Sequence, residues 1–96
     1  MTTIATADVT AENTFTDAVR LEGYFNLSIS GTWAATVTVQ RSIDNATWVD
    51  VDTFTANSEE VGFEPEIMWY RVGVKTGDFT SGTVTLRLGR EDKDRH

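Results

Sequence analysis

The sequence contains no cysteine, one proline and one histidine, His96, which is its last residue. Without cysteine, the chain can form neither disulfide bonds nor thiolate–metal sites. As the last residue of the sequence, His96 is not expected to be held rigidly beside a nucleophile, so the usual activated-nucleophile constellations are missing. We therefore predict a protein that is not an enzyme, with no catalytic residues, no metal site and no cofactor.

Basic residues and long apolar runs are also scarce. The chain has 8 Lys and Arg against 15 Asp and Glu, which gives a formal net charge of −7. This charge repels phosphate backbones and anionic lipid surfaces, so neither nucleic acid nor membrane is expected as a partner. No apolar run approaches the roughly 20 residues of a membrane-spanning helix. The start, MTTIATADVT, shows no signal-peptide pattern, and we expect synthesis and folding in a cytoplasm.

What the sequence does contain is a repeated alternation of apolar and polar residues with a period of two, which indicates half-buried strands. The chain has 96 residues, 40% of them hydrophobic, enough for one domain with a modest core. We predict an all-β fold, an antiparallel β-sandwich of about seven or eight short strands, immunoglobulin-like or jelly-roll-like, with a small open β-barrel as the alternative. The clearest strand segments are 25–30, 36–40, 49–52, 69–74 and 83–88, and weaker ones are 4–9, 19–21 and 60–63.

Nothing in the sequence divides the chain into separate units. We predict a single domain over residues 1–90, with an N-terminal arm, Thr2 to Val9, that can be mobile, and a flexible polar tail over 91–96. Residues that favour turns separate the strand segments. Turns are predicted at 30–32, 44–45, 56–58, 76–78 and 81–82.

The stretch QRSIDNATWVDVDTF, residues 40–54, is predicted as a hairpin. Asp44 can accept hydrogen bonds from the backbone amides that follow it, and Asn45 tolerates a positive φ. Trp48 is expected near the tip of the hairpin, where its ring covers the end of the core. Val49 and Val51 are expected to be half-buried.

Charged side chains are expected mostly at the solvated surface. Arg41 and Arg71 are expected to pair across strands with Asp50 or Asp52, at a gain of under about 1 kcal/mol if the pairs are exposed. The acidic link around Glu64 is interpreted as a solvated turn. None of these groups predicts a reaction centre.

Large aromatic side chains are the best candidates for binding. If alternate residues of the segment 69–74 face the core, Trp69 faces outward beside Arg71. Exposed tryptophans can stack on sugar rings or lie in a subunit contact, where Trp, Tyr and Arg are enriched, or they can close the ends of a sandwich. The predicted protein-interface residues are Trp33, Trp69, Arg71, Thr2, Thr3 and Ile4.

Residues 23–90 resemble small β-sandwich proteins found in the virions of tailed bacteriophages. The matching features are GYFNLSISG at 23–31, QRSIDNATW at 40–48, YRVGV at 70–74 and TSGTVTLRL at 80–88. The resemblance implies a capsid decoration (cement) protein that stabilises the mature head, made in the host bacterial cytoplasm and located in the virion. Its implied partners are the major capsid protein or another virion protein, together with further copies of itself, for which a trimer is expected. The alternatives are a tail or neck component, or a carbohydrate-binding module on a tail structure.

Overall fold

The computed structural model describes residues 2–91 and consists of β-strands joined by short loops. The predicted polar tail lies outside the described residues, apart from Glu91, which ends the last strand. Residues 2–91 include no helix of the length and hydropathy that crossing a membrane requires. The strands are β1 Thr2–Val9, β2 Thr14–Phe15, β3 Val19–Ala35, β4 Val37–Ser42, β5 Val49–Phe54, β6 Ser58–Val74 and β7 Phe79–Glu91.

The strands form one antiparallel sheet in the order β1-β7-β3-β6-β4-β5, and β2 pairs with β6. Strand β3 pairs with β6 along 19–29 and with β7 along 26–35. Strand β6 in turn pairs with β3 along 58–70 and, on its other side, with β4 along 69–73. These two long strands therefore run through both layers, and the sheet folds over itself around one core. The predicted all-β antiparallel class is confirmed.

Alternate side chains of the strands meet between the layers and exclude water, which supplies most of the stability of such a small domain. Tyr70, Val72 and Val74 of β6 face the core, as their alternation predicts. The ring of Phe25 packs against that of Tyr70 with their centroids 4.9 Å apart. The other buried members of the core are Val9, Leu21, Leu27, Ile29, Val37, Val39, Met68, Val84, Leu86 and Leu88.

Two predicted turns, at 30–32 and 81–82, are wrong, because β3 and β7 continue through them. Gly31 and Gly82 have φ of 103° and 90°, which side chains rarely allow. A Cβ on Gly82 would lie 2.3 Å from the carbonyl oxygen of Thr32 on the neighbouring strand. These glycines bend paired strands and let them approach closely, but they do not end them. The weaker predicted segment 19–21 and the segment 25–30 also belong to one strand, β3, which has 17 residues.

The predicted hairpin is confirmed as β4 and β5, which pair antiparallel. The Asp44 carboxylate accepts hydrogen bonds from the amides of Ala46 at 2.9 Å and Thr47 at 2.8 Å. Asn45 adopts a φ of 61°. The bond from the Thr47 amide, followed by that from Ala46, lowers the pKa of Asp44 to about 2. A turn that the sequence predicts locally is therefore also held locally.

Candidate binding surface

The predicted interface residues lie in different parts of the sheet. Trp33, near the end of β3, packs against the core, and its indole N–H donates to Asn57 Oδ1 at 2.7 Å. Trp69 is half-buried on β6, with the guanidinium of Arg20 5.8 Å from its ring centroid. Ile4 is 44% exposed on the edge strand β1. Trp33 and Trp69 lie at opposite ends of β3, since the strand partner of Trp69 is Arg20.

The N-terminal segment is strand β1, which pairs with β7 along its whole length. Thr2 and Thr3 are its first residues, opposite Glu91 and Arg90. Trp69 and Arg71, separated by one residue on β6, lie on one face of that strand. The structure therefore does not gather the predicted residues into one patch, and their role at an interface stays a prediction.

A cleft of about 210 Å³ opens between β5 and the first part of β6. Val51, Asp52 and Phe54 of β5 form one wall, and residues 60–63 of β6 form the other. A second, largely apolar hollow of about 340 Å³ continues along β5 beside Val49 and also borders Val51. The floor of the first cleft is formed by core side chains, namely Phe25, Leu27, Val39, Tyr70 and Leu88.

Apolar side chains are exposed around this cleft. Val49 and Val51 are 60% and 48% exposed, so the expectation that both are half-buried is wrong for Val49 and overstates the cover of Val51. The reason is that β5 is an edge strand of the sheet formed by residues 2–91, and open clefts lie beside both valines. On the other wall, the ring of Phe63 lies 4.9 Å from that of Tyr24, centroid to centroid. We call the exposed apolar residues that line the cleft and the adjoining hollow the apolar strip: Ile43, Val49, Val51, Val61 and Phe63.

Both walls of the cleft are strand edges without a hydrogen-bonded neighbour in residues 2–91. Strand β5 pairs with β4 only. The part of β6 from 58 to 64 pairs with β3 on its other side, and β4 joins β6 only from Trp69 onward. Unpaired N–H and C=O groups on an edge are a template for a further strand. The cleft therefore offers both apolar surface and backbone hydrogen-bonding groups.

The cleft is acidic. Asp52 projects from the β5 wall and Glu60 from the β6 wall, so each side carries one carboxylate. Arg41 lines the second hollow, but its charge is matched by Glu64. The lining is left with an excess of negative charge, which favours a basic partner.

Glu64 is buried, with 2% of its surface exposed, so the interpretation of its segment as a solvated turn is wrong for this residue. Its carboxylate accepts hydrogen bonds from Nε and Nη2 of Arg41 at 2.7 and 2.9 Å and from the hydroxyl of Tyr70 at 2.7 Å. The hydrogen bonds from Arg41 lower the pKa of Glu64 to about 2, against the opposing effect of burial. Burial, with the hydrogen bond to Glu64, raises the pKa of Tyr70 to about 12. Every charge in this group is matched, so it serves structure.

The cross-strand pairs expected for the arginines are also different. Arg41 pairs with Glu64, and Asp50 pairs with Lys75 at 2.5 Å. Among residues 2–91 no carboxylate pairs with Arg71, and its Nε donates to Oε1 of Gln40 at 2.8 Å. These partners come from strands that are distant in sequence, and no local pattern distinguishes them from Asp52.

The expectation that Trp48 covers the end of the core is wrong. Its ring lies on the outer face of the sheet, with its centroid 4.4 Å from the guanidinium carbon of Arg71. The ring of Phe15 lies 4.4 Å from the same carbon. A cleft of about 430 Å³ opens beside this group, lined by Asn13, Phe15, Gln40, Arg71, Lys75 and Thr76.

Sequence reasoning missed the apolar strip, although part of its signal was present. Val61 and Phe63 alternate with polar or small residues in the weaker segment 60–63. Alternation shows that one face of a strand is apolar, and we assumed that this face would be covered. Whether another layer covers it depends on pairing between distant segments.

Comparison with known proteins adds no relative: no family model, curated protein or solved structure matches this chain. In the part of the chain that the structure describes, no group of three or more His, Cys, Asp or Glu side chains is placed to hold a metal ion. The surfaces described above therefore carry the functional argument, together with the resemblance to phage virion proteins.

Proposed function

We propose that this chain is a non-enzymatic structural protein that docks on a partner protein through the cleft between β5 and β6. Following the resemblance, we propose a capsid decoration protein that binds the major capsid protein of the mature head of a tailed phage. The observation that carries the docking proposal is the cleft itself, with apolar side chains exposed along two strand edges that lack a neighbour.

The proposed occupant is an extended segment of the partner that pairs with the free edges and completes the sheet. Its apolar side chains fill the cleft, and Lys or Arg beside them meets Asp52 and Glu60, one on each wall. Pairing along all of β5, which has 6 residues, takes a segment of about 20 Å. A segment that becomes accessible only in the expanded shell would bind there and favour the mature state by mass action.

The virion assignment is tested by the position of the gene and by the particle. We expect the gene to lie directly beside that of a major capsid protein, and mass spectrometry to find the chain in purified virions. A gene among tail genes would favour the tail or neck alternative and refute the decoration role. Absence of the chain from purified particles would refute the virion assignment.

The docking cleft is tested by co-sedimentation of the purified protein with expanded heads that were assembled without this protein. Val51→Ser and Phe63→Ser each remove apolar surface from one wall. Each should weaken binding about three- to tenfold, because burying such a side chain from full exposure contributes about 1.5–3 kcal/mol and each is already about half buried in the free protein. Ile67→Ser is the matched control, since Ile67 is comparably exposed, at 51%, on β6 but lines none of the three clefts described. It should bind like the unchanged protein.

Three outcomes would contradict the cleft as the docking site. Loss of binding in an Ile4→Ser variant, with binding kept in Val51→Ser and Phe63→Ser, would place the contact on β1, where Ile4 is a predicted interface residue. A change in the native mass of the free protein in Val51→Ser would identify a second copy as the occupant. Binding of a specific saccharide on a glycan array, lost in Val51→Ser, would favour the carbohydrate-binding alternative.

A further inference from the structure

The side chain of Arg71 is fixed from three directions. Its guanidinium carbon lies 4.4 Å from the ring centroids of both Phe15 and Trp48. Phe15 belongs to β2 and Trp48 directly precedes β5, so the rings come from opposite sides of β6. Nε donates to Gln40 Oε1, and Gln40 Nε2 in turn donates to Asp50 Oδ1 at 2.8 Å. The amide of Gln40 is therefore fixed by both neighbours, and the guanidinium is held in one orientation.

The two terminal amines of the Arg71 guanidinium have no hydrogen-bond acceptor among residues 2–91. A guanidinium has five N–H donors, and only the one on Nε has an acceptor among the described residues. The nearby carboxylate, Asp50, accepts from Gln40 and from Nζ of Lys75. Burial lowers the pKa of Arg71, as expected for a cation that is partly removed from water. An arginine in this situation is normally paired.

The unsatisfied end lies at a cleft of about 430 Å³. Its lining includes the cation Lys75 and the polar side chains of Asn13, Gln40 and Thr76. The carboxylate of Glu12, next in sequence to Asn13, accepts from the backbone amide of Gly77 at 2.7 Å. Lys75 is matched by Asp50 and also lies in the field of Asp78. Arg71 is therefore the cation of the lining whose charge has no carboxylate partner among residues 2–91.

We propose that this cleft binds a carboxylate, held end-on by the two terminal amines of Arg71. These amines and a carboxylate make a pair of parallel hydrogen bonds in one plane. The rings of Phe15 and Trp48 lie 4.4 Å from the guanidinium carbon and narrow the approach to it. A flat carboxylate should therefore fit beside the rings better than a tetrahedral phosphate or sulfate. The site shares no lining residue with the β5–β6 cleft and does not depend on the proposed function.

Nuclear magnetic resonance of ¹⁵N-labelled protein tests the site directly. Sodium acetate is titrated at constant ionic strength, with sodium chloride replaced in proportion, while the Arg71 Nε–H and Trp48 indole N–H signals are followed. We expect saturable shifts in the millimolar range, largest at these groups and at Asn13, Gln40 and Thr76. Sodium phosphate in place of acetate should bind more weakly. A parallel titration with N-acetyl-glutamate methylamide shows whether the carboxylate is taken better from a protein side chain or from a small free acid.

Arg71→Lys should weaken acetate binding at least fivefold, because an ammonium cannot make the paired in-plane contact. Arg20→Lys is the matched control, since Arg20 also lies over a tryptophan, Trp69, but lines no part of this cleft. It should leave the affinity unchanged.

The proposal is overturned if the shifts grow linearly without saturation, if chloride alone produces them, or if phosphate binds more tightly than acetate. It is also overturned if Arg71→Lys binds acetate as well as the unchanged protein does. Should Arg71→Lys fail to fold, the map of shifts on the unchanged protein decides the matter, because shifts centred outside the cleft would refute the site.

Discussion

Replacing Glu64 by Gln tests how much the ion pair between Glu64 of β6 and Arg41 of β4 contributes to the stability of the fold. The carboxylate accepts from Arg41 Nε at 2.7 Å, Arg41 Nη2 at 2.9 Å, the Tyr70 hydroxyl at 2.7 Å and the Glu66 amide at 3.1 Å. A glutamine replaces one oxygen by an NH₂ group, which cannot accept. Whichever way the amide is turned, two donors lose their acceptor and the Arg41 charge is left unmatched.

The size of the effect follows from the burial of the pair. Removing one partner of a fully buried pair costs about 3–5 kcal/mol. The Arg41 side chain is 36% exposed, so water replaces part of what it loses. We therefore expect Glu64→Gln to lower the free energy of unfolding by about 2–3 kcal/mol, which for a domain of this size lowers Tm by about 10–20 °C.

Urea and thermal unfolding followed by circular dichroism at neutral pH measure this loss. Glu66→Gln is the matched control, because Glu66 is an exposed carboxylate of the same strand whose side chain accepts none of these bonds. It should change the free energy of unfolding by less than about 0.5 kcal/mol. If the two variants are equally stable, the ion pair does not contribute as the structure indicates.

The pH dependence gives an independent check on the same pair. The pKa of Glu64 falls from 4.5 to about 2 on folding, so its contribution is fully present above pH 4.5 and is lost as the pH falls toward 2. The unchanged protein should therefore lose stability relative to Glu64→Gln over that window. A difference between the two proteins that stays constant from pH 5 to pH 2 would contradict the lowered pKa.

Two further substitutions test local features. Gly73→Ala should lower the free energy of unfolding by about 1–3 kcal/mol, because its Cβ would lie 2.2 Å from the carbonyl oxygen of Thr14 and force β2 away; a loss below about 0.5 kcal/mol in urea unfolding would show that β2 is not packed there. Asp44→Ala should lower Tm at neutral pH by removing the acceptor for the amides of Ala46 and Thr47. That difference in Tm should shrink as the pH falls from 3.8 toward 2, the range over which Asp44 is protonated in the unfolded and then in the folded protein. A Tm difference independent of pH would refute the role of the ionised carboxylate.

Much of the fold could be predicted because its signals are local. The alternation in 69–74 and 83–88 predicts strands whose apolar face is buried, and Tyr70, Val72 and Leu86 lie in the core. Asp44 and Asn45 form the predicted turn, since the bonds that hold it span only a few residues. Gly31 and Gly82 misled the same reasoning. A glycine that bends a paired strand has the same local signature as one that turns the chain.

The surfaces proposed for binding were less accessible to sequence reasoning. Arg71 was predicted at an interface, but its contacts with two aromatic rings were not predicted. Phe15 lies on β2 and Trp48 just before β5, both distant in sequence from Arg71. Val51 and Phe63 belong to predicted strands, yet their exposure depends on a cleft between β5 and β6 that no local pattern indicates.

The sequence by itself determined an acidic, all-β domain without cysteine, the alternation of its strands and the hairpin turn at Asp44, because these depend on composition and on neighbouring residues. Only the tertiary structure decided that Glu64 is buried against Arg41, that the apolar strip is left uncovered and that Arg71 lies between two aromatic rings. Strand alternation separates two faces of a sheet but does not specify what lies against either face, since that contact is made by residues far apart in the chain.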